Sequence, residues 1–256
     1  MHLRLTIGLA AALAFLGLAF SSLANASETT KPLGVVELFT SQGCNSCPPA
    51  DAAFKDLVQK GDVIALAYHV DYWDYLGWRD TFARPQNTER QYAYMRALGD
   101  RTVYTPQVVV NGRNQMTGID KNTIEDGLAD LQRQGKGMSV AIKAIEDGEN
   151  ITIRVEATKE PAAEANLVLV FYNAPQSIAI SSGDNLGKTV TYLNAVTDVR
   201  TAGVWHGKVT EYELPKSEFP GDGGCVALLQ STAKDGSPGP ILGATIIKRP
   251  SSGGAQ

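Results

Sequence analysis

Cysteine is scarce, with three in 256 residues. That excludes a small scaffold stapled by many disulfides. Histidine is equally scarce, at three. Outside one Cys-x-x-Cys no Cys or His pair has the spacing of a zinc site, which needs four ligands. Neither metal nor cofactor is expected. Positive charge is not in excess: Lys and Arg number 23 against 27 Asp and Glu, a formal net charge of −4. A nucleic-acid binder held by phosphate neutralisation is therefore excluded. After Phe20 no apolar run approaches the roughly 20 residues of a membrane-spanning helix. What remains, 43% hydrophobic and 20% charged residues, is the composition of a globular protein. It is not that of a disordered chain, a coiled coil or a collagen-like fibre.

The N-terminus reads as an address. Arg4 precedes the uncharged run Leu5 to Phe20, and Ala24-Asn25-Ala26 follows as a small-x-small cleavage site. Residues 1–26 are expected to be a signal peptide, with Ser27 as the mature N-terminus. An uncleaved anchor is the alternative; the short run and the Ala-x-Ala argue against it. The expected location is secreted or periplasmic, with no stable membrane insertion after cleavage. Disulfides persist in such compartments.

The rest of the chain divides by its hydrophobic period. Over 27–136, strand and helix patterns alternate. Val35 to Phe39 favours a strand, and Pro48-Pro49 suits a helix start. Phe54, Leu57 and Val58 carry helical spacing as far as Gly61. Val63 to Val70 is a second strand, so strand, helix and strand form a βαβ unit with parallel strands. Pro85 to Leu98 has helical spacing. Val108 to Val110 is a strand, and Asn111-Gly112 signals a hairpin. Asp120 is the expected N-cap of a helix bearing Ile124, Leu128 and Leu131. Over 137–250 short alternating strands separated by turn residues suggest a sandwich. Ser251 to Gln256 is expected to be a flexible tail.

Cys44-Asn45-Ser46-Cys47 falls between the first strand and the first helix. Unpaired N–H groups and the dipole at a helix start stabilise a thiolate, the nucleophile of disulfide exchange. A two-residue spacer lets both sulfurs close one disulfide. At a strand-to-helix junction the motif points to redox use. A merely structural disulfide is the competing reading. Cys44, first in the motif, is expected to be exposed and to attack, and Cys47 to be shielded and to resolve. Cys225 starts an apolar run and is expected to be a buried thiol.

Tyr104-Thr105-Pro106, placed before a strand, adds to this. With the Cys pair it resembles the thioredoxin superfamily, where a cis Thr-Pro packs against the redox cysteines. The resemblance implies that Thr105 and Pro106 border a groove for an extended substrate peptide. A closer resemblance rests on Glu37-Leu38-Phe39-Thr40-Ser41-Gln42-Gly43 leading into the Cys pair, and on Pro48-Pro49-Ala50-Asp51 after it. His69-Val70-Asp71-Tyr72-Trp73-Asp74, Gly77-Trp78, Arg90-Gln91 and Tyr104-Thr105-Pro106-Gln107 complete it. These runs resemble the signature of the domain-of-unknown-function 1223 family, secreted thioredoxin-like proteins with a β-rich C-terminal part. The fold this implies is an α/β thioredoxin-like domain followed by a second, β-rich, sandwich-like domain. The family implies no substrate.

Glu37, on the strand before the motif, matches an acid that thioredoxin-like proteins often bury behind the Cys pair. It is the expected proton relay for the second sulfur; an edge-strand Glu facing water is the alternative. Residues 68–82 hold six of the 19 aromatic residues, among them Trp73 and Trp78, expected to contact substrate. A cap that is half core and half surface is an equal alternative. His69 is expected to hydrogen-bond within this cluster, and Arg90 to pair with one of its Asp residues. The leading functional expectation is an extracytoplasmic thiol–disulfide oxidoreductase acting on thiols or disulfides of proteins or peptides. The alternative is a secreted binding module with a static disulfide and an aromatic cleft.

Overall fold

The run Ala165–Tyr172 is apolar at almost every position, and the strand that it forms lies between two cores. Leu167, Leu169 and Phe171 belong to one cluster, and Val168 and Val170 to another. Alternate side chains of a strand point to opposite faces, so a strand buried on both faces needs an unbroken apolar run.

The computed structural model describes residues 31–159, 164–219, 222–233 and 235–247. The expected signal peptide and tail, residues 1–26 and 251–256, lie outside the described residues. Strands β1 (Val35–Thr40), β2 (Ile64–His69), β3 (Gln107–Val110) and β4 (Asn114–Met116) form one sheet in the order β2-β1-β3-β4. β1 runs parallel to β2 and antiparallel to β3. Its helices are α1 (Pro48–Lys60), α2 (Pro85–Leu98) and α3 (Lys121–Arg133). Prolines stand in the first turns of α1 and α2, where no helical N–H is lost. The Asp120 side chain caps α3 by accepting from Asn122 N.

Nine further strands follow. These are β5 (Ile142–Asp147), β6 (Asn150–Val155), β7 (Ala165–Tyr172), β8 (Gln176–Ala179), β9 (Thr189–Tyr192), β10 (Val196–Trp205), β11 (Thr210–Pro215), β12 (Gly224–Thr232) and β13 (Pro238–Ile247). They form sheets in the orders β10-β7-β12-β13, β11-β6-β5 and β8-β9. One face of the β7 sheet packs on β5 and β6. The other packs on β1, β2 and α2 through Val35, Phe39, Leu66 and Tyr94. Behind β1 and β2, α1 and α3 bury Phe54, Leu57, Ile124 and Leu128.

This corrects the expected fold class. The expectation was an α/β thioredoxin-like fold with a second, β-rich sandwich-like domain. Among the described residues the molecule is β-rich, with thirteen strands in four sheets and three α-helices. The described residues cluster as one compact unit. The physical reason is the shared core: Val168, Val170, Val226 and Leu228 meet Phe39, Leu66 and Tyr68 in one cluster. The turn Asn111-Gly112 is a joint of the two halves. Both residues have positive φ, 48° and 63°, as a type I′ hairpin requires. Asn111 Oδ1 accepts from Val35 N at 2.8 Å, and Asn111 O accepts from Ile241 N at 2.9 Å. A Cβ on Gly112 would lie 2.5 Å from Gly239 O, so the joint demands glycine.

Candidate functional site

β1 ends at Thr40, and the chain turns through Ser41, Gln42 and Gly43 into Cys44. Cys44 and Cys47 form a disulfide, and Cys47 is the N-cap of α1 with helical dihedrals. Pro48 and Pro49 supply no N–H, so the first N–H groups of the helix are those of Ala50 and Asp51, both bonded to Cys47 O. The Thr105–Pro106 peptide bond is cis. Ser46 Oγ lies 3.4 Å from both Cys44 Sγ and Thr105 O. The structure therefore brings Cys44, Cys47, Thr105 and Pro106 together.

The expected exposure of Cys44 is corrected: it is 1% exposed and Cys47 0%. Two elements roof the loop. Trp73 covers Gly43, where an added Cβ would lie 3.2 Å from Trp73 Cβ. Asn185, in the turn between β8 and β9, donates from Nδ2 to Gln42 O at 2.8 Å and to Cys44 O at 2.9 Å. Asn185 is buried, and its Oδ1 accepts from Lys188. The indole N–H groups of the two expected substrate-contacting tryptophans bond within the protein. Trp73 donates to Thr105 Oγ1 at 2.7 Å and Trp78 to Gln42 Oε1 at 2.9 Å. Both rings are half-buried, so they hold the Cys44–Cys47 loop and the Thr-Pro turn in place.

Each face of the β1–β2 pair carries one buried polar cluster. On the α2 face, Glu37 accepts from Arg90 Nε at 2.8 Å and from the Tyr94 hydroxyl. Arg90 also donates to Gln230 Oε1 at 2.9 Å and sits over the rings of Tyr68 and Tyr94. Arg90 thus pairs with Glu37, not with an Asp of the aromatic segment as expected. The relay expected of Glu37 finds its carboxylate engaged on the face away from α1. Strand alternation dictates this: Val36 and Leu38, on the other face, pack with α1.

On the α1 face, Thr40 and His69 are cross-strand partners. His69 Nδ1 donates to Asp80 Oδ2 at 2.7 Å, since a carboxylate can only accept. Asp80 also accepts from Gln42 N at 2.7 Å and from Phe82 N at 2.8 Å. Burial works against the charge on both members, yet each partner outweighs it. Against burial, Asp80 together with the charge of Asp51 holds His69 above its ordinary value, and His69 with these amides holds Asp80 below its own. Asp51, in the first turn of α1, accepts from Thr40 Oγ1 at 2.8 Å. Burial pushes its carboxyl up to about 6, against the charge of His69 and the Thr40 bond. Asp51 Oδ2 and His69 Nε2 are buried without a hydrogen-bond partner among the described residues.

Asp51, Asp80 and Asn185 were not candidates from the sequence. Asp51 had a signal in its place one helical turn after Cys47. Asn185 had none, because its role depends on where the β8–β9 turn lands. Cys225 is buried, as its apolar run suggests, and burial pushes its thiol up to about 12. Among the described residues no helix is long and apolar enough to cross a membrane. No three His, Cys, Asp or Glu side chains are grouped there to hold a metal ion.

Comparison with known proteins places these features. The crystal structure of protein AGR_C_4864 from Agrobacterium tumefaciens is similar, with a TM-score of 0.78 and 42% sequence identity. The match covers 88% of this chain and 98% of that one. None of the curated proteins matches. The model of the family described as protein of unknown function (DUF1223) matches residues 35–230. That span holds the Cys pair, both polar clusters and Asn185, and the chain belongs to this family.

Proposed function

We propose that the chain is an extracytoplasmic thiol–disulfide oxidoreductase that acts on proteins or peptides through Cys44 and Cys47. The observation carrying this reading is the Cys44–Cys47 disulfide at the start of α1, with the Thr105 carbonyl beside it. A thiolate at a helix N-terminus gains from the dipole there. In the reduced protein, Cys44 attacks a substrate disulfide and releases one substrate thiolate. Cys47 then attacks the Cys44 sulfur of the mixed disulfide and releases the second. The protein disulfide forms as the substrate disulfide is reduced, and the reverse sequence oxidises a dithiol. The signal-peptide pattern at residues 1–26 supports a secreted or periplasmic location.

One observation favours a second reading, a secreted binding module with a static disulfide: both sulfurs are buried beneath Trp73 and Asn185. Equilibration of the full chain with glutathione buffers separates the two. An exchanging pair has a potential within the range of known redox Cys pairs, about −270 to −120 mV, whereas a structural bond lies below about −300 mV. Trapping then tests the order of attack. Cys47→Ser should capture mixed disulfides with extracytoplasmic proteins and Cys44→Ser should not. Capture by Cys44→Ser alone reverses the roles, and a potential below the exchanging range leaves the binding module.

A further inference from the structure

We propose that Asp51, rather than Glu37, takes the proton of Cys47 when that sulfur resolves a mixed disulfide. The assignment rests on the oxidoreductase reading above. Cys47 is fully buried, so bulk water is no base for its thiol. Its backbone is already helical, and Asp51 N donates to Cys47 O at 3.0 Å. The two side chains therefore lie one turn apart on the same face of α1. Glu37 lies on the opposite face of the sheet, with both carboxylate oxygens taken by Arg90 and Tyr94.

Asp51 keeps one oxygen in reserve. Oδ1 accepts from Thr40, while Oδ2 is buried without a partner among the described residues. Asp51 also lines a cavity of about 10 Å³, with Phe54, Ala67, Thr191, Tyr192 and Leu193. That is about the room for the centre of one water molecule. The ionisable groups acting on Asp51 are His69 of β2 and Asp80 of the following loop, and Tyr192 of β9 feels its charge in turn. Burial raises Asp51 most and His69 lowers it, leaving it at about 6. It is then a carboxylate at neutral pH with enough basicity to accept a proton.

The step balances as follows. Cys47–SH attacks the Cys44 sulfur of Cys44–S–S–R, and the Cys44–Cys47 S–S bond forms while the S–S bond between Cys44 and the substrate sulfur breaks. The electron pair leaves with R–S⁻, and the Cys47 proton goes to Asp51. From the neutral Asp51 the proton passes to solvent or to the departing thiolate. When the protein disulfide is reduced, Asp51 returns the proton to Cys47.

The test mixes the reduced full chain with oxidised glutathione, quenches with acid and follows the glutathionylated intermediate by mass. Wild type should resolve it with a pH limb near 6. Asp51→Asn should form it at the wild-type rate, resolve it about tenfold or more slower, and lose the limb. Thr40→Val, which removes a bond that lowers the Asp51 pKa, should move the limb to higher pH. A second readout needs no turnover. In a Cys44→Ser background, thiolate absorbance should show Cys47 ionising about half a unit lower when Asp51→Asn removes the neighbouring negative charge. Resolution by Asp51→Asn within about twofold of wild type across pH 5–9, or an unmoved Cys47 midpoint, overturns the assignment. An unreactive wild type removes the oxidoreductase reading, and the step with it. A reactive wild type with an indifferent Asp51→Asn removes only the role of Asp51.

Discussion

The two buried polar clusters on the β1–β2 pair differ in how completely their ionisable Asp, Glu, His and Arg groups are bonded. On the α2 face, Arg90 meets Glu37, Tyr94 and Gln230, and Tyr94 in turn accepts from Gln230, while the Tyr68 hydroxyl beneath Arg90 is buried without a partner among the described residues. On the α1 face, Asp51 and His69 each leave one buried polar atom unpaired among the described residues. A charged pair with its hydrogen bonds made, as Glu37 and Arg90 are, fixes its elements in place. Gln230 belongs to β12, so this cluster locks the strand-rich half to α2 and β1. An unsaturated cluster holds unpaired polar atoms at a cost in stability, which is common at functional sites. One face holds the molecule together, and the other, beside the Cys pair, is where the proposed exchange would take place.

The comparison breaks first at Arg90. Arg90→Ala leaves the Glu37 carboxylate buried without its cation, and the expected loss is about 3–5 kcal/mol of stability. Urea denaturation of the full chain measures it. A loss below about 1 kcal/mol would mean that the cluster does not hold the halves together.

Asp80 comes next. Asp80→Ala strips His69 of its partner and the Gln42 amide of its acceptor, an expected cost of about 2–4 kcal/mol. The sign of the pH dependence follows from the two shifts. His69 is raised in the folded protein, so its contribution is complete below the ordinary 6.5 and fades as pH climbs through the raised value. Asp80 is lowered, so its contribution is complete above the ordinary 3.8 and fades as pH falls through the lowered value. The stability gap between wild type and variant should be widest between these two ordinary values. A gap of constant size from pH 3 to 9 would deny the ion pair.

Asp51 carries the opposite sign, which is the clearest contrast with Arg90. Its folded value, about 6, lies above the ordinary 3.8. Folding thus favours the protonated acid, and wild-type stability declines as pH rises from 3.8 to about 6. Asp51→Asn escapes that decline and should be more stable than wild type at pH 8 by about 1–3 kcal/mol, with little difference at pH 3.5. Thermal melts at the two pH values decide it. Destabilisation at pH 8 would place Asp51 with Arg90 among the holding residues.

The sequence discloses the two faces unequally. The elements around the Cys pair were legible because their punctuation is local. Pro85 and Leu98 bound α2 as its spacing indicates, and Asp120 caps α3. The Cys pair and Thr105–Pro106 were legible as well, since motif and placement agree. The role of Glu37 was not. Which face of β1 it occupies is set by strand alternation, but what waits there is Arg90, 53 residues on, and Gln230 from the other half. The fold class failed for a related reason. A change of hydrophobic period at residue 137 marks new architecture, but it cannot show that β7 and β12 bury their second face against β1 and β2. The continuous apolar run Leu167 to Phe171 was the one local hint, since it has no polar face to offer solvent.

The smallest expected effect concerns another contact between the halves, the roof over Cys44. Asn185 bonds two backbone carbonyls, of Gln42 and Cys44, with one amide nitrogen. It resembles Arg90 in linking the halves but carries no charge, so little desolvation is at stake. Asn185→Ala should cost about 1 kcal/mol, the net worth of ordinary neutral hydrogen bonds, provided that water reaches the freed carbonyls. Reach should change more than stability. Cys44 is buried beneath this turn and Trp73, so a reagent reaches it only when the roof opens. Loosening one anchor by about 1 kcal/mol raises the open population roughly fivefold if that bond is lost on opening. Iodoacetamide alkylation of Cys44 in the reduced full chain should therefore quicken by about that factor, while Cys225, buried in the other core, should not change. A loss of several kcal/mol with unaltered alkylation would make Asn185 a second lock like Arg90. Faster alkylation at nearly constant stability places it with the exchanging face, as the part of the strand-rich half that governs access to the cysteines.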